Sequence, residues 1–199
     1  MARGRPRKSD PDEAIEQIAR VFWEHGYDGT SLNALSAASG MAKPGLYANF
    51  GDKEEMFAKA LKFYFQDRGR AILDDLMNSP EPVAVVLRRY LEAVADMFEN
   101  PECPNGCFVV NSLVESGSLT PDLVALSRDF ELRRRKAVRH RLRIAEERGE
   151  LPTGADADAL AEFFSSQVLA LAVLARSDAG RGALQQVIDV AMSVLPAES

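Results

Sequence analysis

Apolar residues recur every three or four positions along most of this 199-residue chain, and strand-like alternation is absent. That spacing predicts an all-helical protein. A first helix runs from Pro11 to His25, with Ile15, Ile18, Ala19, Phe22 and Trp23 on one stripe, and ends near Gly26. Two short helices follow. Leu32, Leu35 and Ala38 mark the buried face of one, and Leu46 and Phe50 that of the other. Gly40 lies between them, where a helix stops in a left-handed conformation that a residue without a Cβ adopts cheaply, so that Met41 turns back into the shared core. The pattern is a helix-turn-helix over about 31–50, inside a three-helix unit over 10–53.

Beyond it, residues 54–199 form a second, larger helical domain. A long helix from about Lys53 to Asn78 carries Met56, Phe57, Ala60, Leu61, Tyr64, Phe65, Ile72 and Leu76. Breakers at Ser79 to Pro82, Asn100 to Gly106, Ser116 to Ser118, Gly149 to Gly154 and Gly180 to Gly182 separate the helices that follow. Those over about 83–99, 107–115 and 120–148 close against the long helix. An apolar interior of this kind is either plain core or a ligand chamber. The candidate lining is Tyr64, Tyr90, Met97, Phe98, Phe108, Leu113, Phe130, Arg134 and Arg141.

The last two helices, about 155–176 and 181–195, are the most apolar, through Leu160, Phe163, Phe164, Val168, Leu171 and then Leu184, Val187, Ile188 and Ala191. Such a pair needs a covering surface. The same two helices of a second copy provide one, as a four-helix interface in a two-fold homodimer.

The exposed side of the helix-turn-helix carries the first recognisable chemistry. Lys43 and Tyr47 are four residues apart and face away from Leu46 and Phe50. Pro44 suits a first helical turn, and Gly45 lets backbone approach a phosphate. This face fits a DNA major groove. Ahead of it, Arg3-Gly4-Arg5-Pro6-Arg7-Lys8 reads as a flexible basic arm over 1–9, similar to the minor-groove AT-hook core. Arg3, Arg5, Arg7 and Lys8 are either minor-groove readers or a source of nonspecific phosphate attraction.

Charge supports the division. The formal net charge is -6, yet the first nine residues carry four positive charges and no negative ones, which leaves -10 for the remainder. An acidic body with a basic arm is the outcome. No apolar stretch approaches ~20 residues and none follows the basic N-terminus, so neither a membrane span nor a signal peptide is expected, and the chain reads as cytoplasmic.

In order, Thr30, Ala38-Ser39-Gly40-Met41, Leu46-Tyr47-Ala48-Asn49-Phe50 and Lys53 resemble the motif of the TetR family of bacterial transcriptional regulators. The likeness covers about the first quarter to third of the chain. It implies DNA contacts from Thr30, Lys43, Tyr47 and Lys53, with Ser31, Pro44, Gly45 and Asn49 completing the candidate set. It also implies a phosphate at the amino end of the helix that begins near Lys53. Ala42 departs from the pattern, standing where a serine commonly caps the recognition helix, at a cost of ~1 kcal/mol. The resemblance further implies a helical effector-binding and dimerisation domain, and a lever in the helix from Lys53.

Two features of the body are less generic. Cys103-Pro104-Asn105-Gly106-Cys107-Phe108 holds the only two cysteines, at a loop-to-helix junction. At the first turn of its helix, Cys107 is expected to have a lowered thiol pKa and to serve as a sensor, with Cys103 nearby; the competing reading is a small packed apolar group. A reducing cytoplasm argues against a disulfide, and two cysteines with His25 and His140 supply too few ligands for a metal site. No cofactor is implied. The other feature is the basic run Arg133 to Arg143. On a helical wheel Arg135, Lys136, Arg139 and Arg143 gather on an outer arc, whereas Arg134 and Arg141 project inward, to pair with Glu92 or Glu115 or to receive an anionic ligand.

Together these features describe a homodimeric, ligand-responsive DNA-binding repressor that holds a palindromic operator with recognition helices ~34 Å or a multiple apart, and is released by an effector or by thiol modification. A cysteine-dependent enzyme and a nonspecific architectural DNA-binding protein are the rival readings.

Overall fold

The computed structural model describes residues 10–196, which form ten α-helical segments and no strand among the described residues. The basic arm, with Arg3, Arg5, Arg7 and Lys8, lies outside them. Helix α1 (Pro11–Gly29) opens with Asp10 accepting from the Asp12 amide at 3.0 Å and with Pro11 in its first turn. It breaks at Gly26, whose φ of 69° ends the regular helix where the sequence expects it. A side chain there would meet the Glu115 carboxylate, so the break is also a seat for the body.

Helices α2 (Leu32–Ser39) and α3 (Lys43–Phe50) form the helix-turn-helix, and Gly40 between them is left-handed at φ 67°. One face differs from expectation. Ala38 is exposed, and Ser39 is buried in its place, its hydroxyl donating to the Leu35 carbonyl at 2.7 Å. The small hydroxyl turns inward because its own helix satisfies it.

The long helix is not one uninterrupted α-helix. It comprises α4 (Lys53–Tyr64), a single π-helical turn over Phe65–Gly69, and α5 (Arg70–Asn78). Five residues in a wider turn shift the facing of everything after them relative to a plain helix. Helices α6 (Val83–Phe98), α7 (Phe108–Val114), α8 (Pro121–Glu147), α9 (Ala157–Arg176) and α10 (Arg181–Met192) complete the body.

A ladder of edge-to-face aromatics joins the two parts. Phe22 meets Phe57 at 5.0 Å, Phe57 meets Phe108 at 5.2 Å, Phe108 meets Tyr64 at 5.9 Å and Tyr64 meets Trp23 at 4.9 Å. Such pairs add ~0.5–1.5 kcal/mol each beyond the area they bury. The three-helix unit and the body therefore share one core.

The terminal helices correct two expectations. Phe164, Val168, Leu171, Leu184, Ile188 and Ala191 are buried within the chain itself, while Leu160, Phe163 and Val187 are half-buried. The large apolar residues left exposed are Leu169 and Val173 on α9, Val190 on α10 and Val194 just past its end. Helix α9 is also long and apolar enough to cross a membrane by length and composition, against the sequence expectation. Here it packs on α6, α8 and α10, so the body absorbs one of its apolar faces.

Candidate nucleic-acid interface and interior chamber

The recognition surface is built by local hydrogen bonds around the turn. Ser31 caps α2 by accepting from the Ala34 amide at 3.1 Å, and the Ser36 hydroxyl donates to the Met41 carbonyl at 2.6 Å. No side chain caps α3 at Ala42, as its sequence predicts. Leu46 and Phe50 are buried beneath, which turns Lys43, Pro44, Tyr47 and Asn49 to the outside. Tyr47 is 47% exposed. A Cβ on Gly45 would meet only Met41, at 3.9 Å, so nothing inside the chain requires a glycine there. The Asn49 amide donates back to the Gly45 carbonyl at 2.7 Å.

Two family-implied contacts are placed differently. Thr30 is buried, and its hydroxyl donates to the Gly26 carbonyl at 2.7 Å, holding the α1 break rather than facing outward. At the start of α4, Asp52 and Glu55 form a reciprocal capping box, with Glu55 N–H to Asp52 and Asp52 N–H to Glu55 both at 2.9 Å. Acidic groups thus occupy part of the expected phosphate seat. Lys53 is half-buried with its ammonium 4.4 Å from the centre of the Tyr27 ring.

Inside the body, the sequence-predicted residues Tyr64, Tyr90, Met97, Phe98, Phe130, Arg134 and Cys107 line one chamber, joined by Phe65, Val94, Val109 and Val168. Its free space is about 50 Å³, room for a few waters. Phe108 is buried between Phe57 and Tyr64 instead, and Leu113 also lies off the chamber. The inner wall carries one ion pair. Arg134 donates to Glu131 from Nε at 3.0 Å and Nη2 at 2.5 Å, and to the Ser165 carbonyl from Nη1 at 3.1 Å. Burial opposes the Arg134 charge, but Tyr90 and Glu131 outweigh it and hold the guanidinium above its ordinary pKa. The hydroxyl of Tyr90 is buried in this chamber without a hydrogen-bond partner. Glu131 precedes Arg134 by three residues on the same helix, a signal visible in the sequence but missed by a reading that sought partners on other helices.

Arg141 departs from expectation. It is 1% exposed and donates to the Ser79 carbonyl at 2.7 Å and to the Glu81 carbonyl, outside the chamber. Neither predicted acidic partner serves it: Glu92 pairs with Arg88, and Glu115 abuts Gly26. The outer arc behaves as a solvated seam between α8 and α9, with Arg143 on Asp158 at 2.6 Å, Arg139 on Asp158 at 3.3 Å and Arg135 on Glu162.

Cys107 is also corrected. It is the N-terminal capping residue of the seven-residue α7, and burial pushes its thiol up, outweighing a 3.5 Å hydrogen bond from the Tyr64 hydroxyl. A helix terminus lowers a thiol pKa where solvent also reaches it; in an apolar pocket the desolvation of the anion dominates. Gly106 before it has φ 84°, and a Cβ there would lie 2.9 Å from the Ala172 carbonyl, which fixes this junction against α9.

Comparison with known proteins agrees with this geometry. Residues 14–60 match the model described as bacterial regulatory proteins, tetR family, and residues 85–191 match the tetracyclin repressor-like C-terminal domain. The HTH-type transcriptional repressor ComR of Escherichia coli is 29% identical over 195 residues, covering 98% of this chain and 93% of its own. The uncharacterized HTH-type transcriptional regulator YezE of Bacillus subtilis is 32% identical over 197 residues, covering 96% and 99%. A cysteine mutant of the TetR family regulator CifR, solved with 26-base-pair double-strand operator DNA, superposes with a TM-score of 0.84 at 32% identity, over 97% of this chain and 100% of that one. The chain belongs to the TetR family of bacterial transcriptional regulators.

Proposed function

We propose that this chain represses transcription as a homodimer on a palindromic operator, and that filling or modifying the chamber releases it. The observation that carries the reading is the outer face of α3. Lys43, Pro44, Gly45 and Tyr47 are presented on a buried Leu46–Phe50 base, with a glycine that no internal contact demands. Backbone at Gly45 and the two side chains then meet phosphates and base edges in a major groove. The similar CifR mutant, solved with operator DNA, supports binding to double-strand DNA.

The partner copy covers Leu169, Val173, Val190 and Val194, the exposed apolar residues of α9, of α10 and of the turn that follows it. An effector must enlarge this small chamber, and Phe65 in its wall belongs to the π-helical turn that links α4 to α5. A displaced Phe65 converts that turn toward regular helix, moves α4 and changes the spacing of the two recognition helices. A difference of ~3 to 5 kcal/mol between the states switches operator occupancy. An enzyme with Cys107 as nucleophile is disfavoured, because His25 and His140 are both exposed and neither lines the chamber.

The test is a titration of labelled duplex from the DNA beside its own gene, followed by anisotropy at several salt concentrations. Two chains per duplex with a steep salt slope support the reading. Binding indifferent to sequence overturns it in favour of an architectural role.

A further inference from the structure

Phe65 and Phe130 line a second cavity besides the chamber, an open groove between α8 and the junction of α4 with α5. Its space is about 440 Å³, within the range of small-molecule sites. Three cations, Lys62, Arg70 and Arg133, stand in its walls with the Gln66 amide, and no carboxylate is among the lining residues. Leu126 and the two rings provide its apolar part. Lys62, Gln66 and Arg70 recur every fourth residue, and on a regular α-helix such a row drifts by about 40° per step. The π-helical turn over Phe65–Gly69 holds more residues per turn and takes up part of that drift, so the three polar groups share one wall with Phe65 beside them.

Charge in the groove is only partly balanced. Arg70 lies 3.6 Å from Asp74 and Arg133 2.7 Å from Asp129, whereas Lys62 has no ion-pair partner among the described residues. Exposed pairs of this kind contribute little, so an entering anion exchanges for them at small cost. In a body whose overall balance is acidic, such a cluster attracts anions locally. The Arg133 guanidinium also stands 5.7 Å from the centre of the Phe130 ring, which ties the charged wall to the stacked pair. The chamber has the opposite character. Val94, Met97, Phe98 and Val168 line it, and its cation, Arg134, is already engaged by Glu131. One cavity suits an anion and the other suits hydrocarbon, and the two share a wall of two rings.

We propose that the effector is an amphipathic anion, whose carboxylate or phosphate head seats on Lys62, Gln66 and Arg133 in the groove while its hydrocarbon chain passes between Phe65 and Phe130 into the chamber. Binding is noncovalent. The head anchors the ligand at the wall, and the energy of burying the chain parts the stacked rings. Affinity therefore requires both ends of the molecule. That such binding releases DNA rests on the proposed repressor function; the two-part site does not.

The test is a calorimetric titration of the full chain with octanoate, its shorter homologues and octanol. The expected result is saturable binding of octanoate, with affinity rising up to about fourfold per added carbon, as burial of a methylene allows. Octanol, which keeps the chain and lacks the charge, binds at least about tenfold more weakly. Lys62→Gln and Arg133→Gln each weaken octanoate about tenfold, as loss of a hydrogen bond to a charged group does, and leave octanol unchanged. Octyl phosphate separates the two sources of such a head: tighter binding than octanoate assigns a phosphorylated ligand, weaker binding a free carboxylic acid. Octanol that binds as well as octanoate, an affinity flat in chain length, or octanoate binding that neither substitution weakens overturns the proposal. If octanoate binds as expected while operator occupancy stays constant, the site stands and its regulatory consequence falls; a chain that never binds DNA refutes the repressor reading and leaves the titration as the test of the site.

Discussion

Phe65 stacks on Phe130 with ring centroids 4.4 Å apart and planes 20° from parallel. Both rings line the interior chamber, and both also line an outer groove with Lys62, Arg70 and Arg133. The stacked pair is the partition between the two. Phe130 is 6% exposed, so Phe130→Ala removes most of a buried ring and opens the wall. A loss of about 3 kcal/mol is expected, read as a lower denaturant midpoint. A loss below about 1 kcal/mol means that the groove side already carries the ring's contacts.

Arg141 separates structure from response. Its guanidinium satisfies the carbonyls of Ser79 and Glu81 just beyond the end of α5, with no contact to the chamber. Arg141→Met leaves both carbonyls without that donor and should cost about 2–3 kcal/mol. DNA affinity of the folded variant should be unchanged. A folded, stable variant that no longer responds to an effector contradicts this placement.

Gly45 separates stability from DNA binding in the opposite sense. Its Cβ position is open apart from Met41, so Gly45→Ala should stabilise the helix by about 0.5–1 kcal/mol. Operator affinity should fall because the backbone no longer reaches the phosphate. Tyr47→Ala is the companion, with little change in melting and a weaker complex.

The dimer surface follows from exposure. Val190 is 69% exposed and Val173 56% exposed, on adjacent helices. Introducing Val173→Glu with Val190→Glu should give a folded monomer in sedimentation, because an interface core desolvates both new carboxylates. An unchanged dimer would move the interface elsewhere.

Burial pushes the Cys107 thiol and the Tyr64 and Tyr90 phenols up from their ordinary values. The folded chain therefore keeps protons that the unfolded chain releases in alkali. Their stabilising contribution is complete below the ordinary thiol value of about 8.5, and is lost as pH rises from there through the raised folded values. Urea midpoints should fall between pH ~7.5 and pH ~10, and Cys107→Ala should show a shallower fall. A flat profile means that these groups are not protonated by the fold.

The helix-turn-helix was legible because each of its signals is local. Gly40, Leu46 and Phe50 lie within about three helical turns of one another, and the uncapped Ala42 follows from its side chain alone. The chamber was legible only in part, since a helical stripe records that Phe108 and Phe130 are buried but not which cavity, if any, they face. Arg141 shows the same limit: its partners are backbone carbonyls some 60 residues earlier, which no residue type announces. On α9 and α10 nearly every face is apolar, so the sequence could not separate Leu171, buried by the body, from Val173, left for a partner. The π-helical turn at Phe65–Gly69 escaped notice because each flanking stripe keeps its own helical period and only the phase between the two changes.

Footprinting of the purified chain on the DNA beside its own gene tests the central claim most directly. The account predicts a two-fold symmetric protected segment whose half-sites lie one or more helical turns apart, lost on Tyr47→Ala and on dissociation of the dimer. Protection that follows A·T content without symmetry, or that survives both changes, would contradict it.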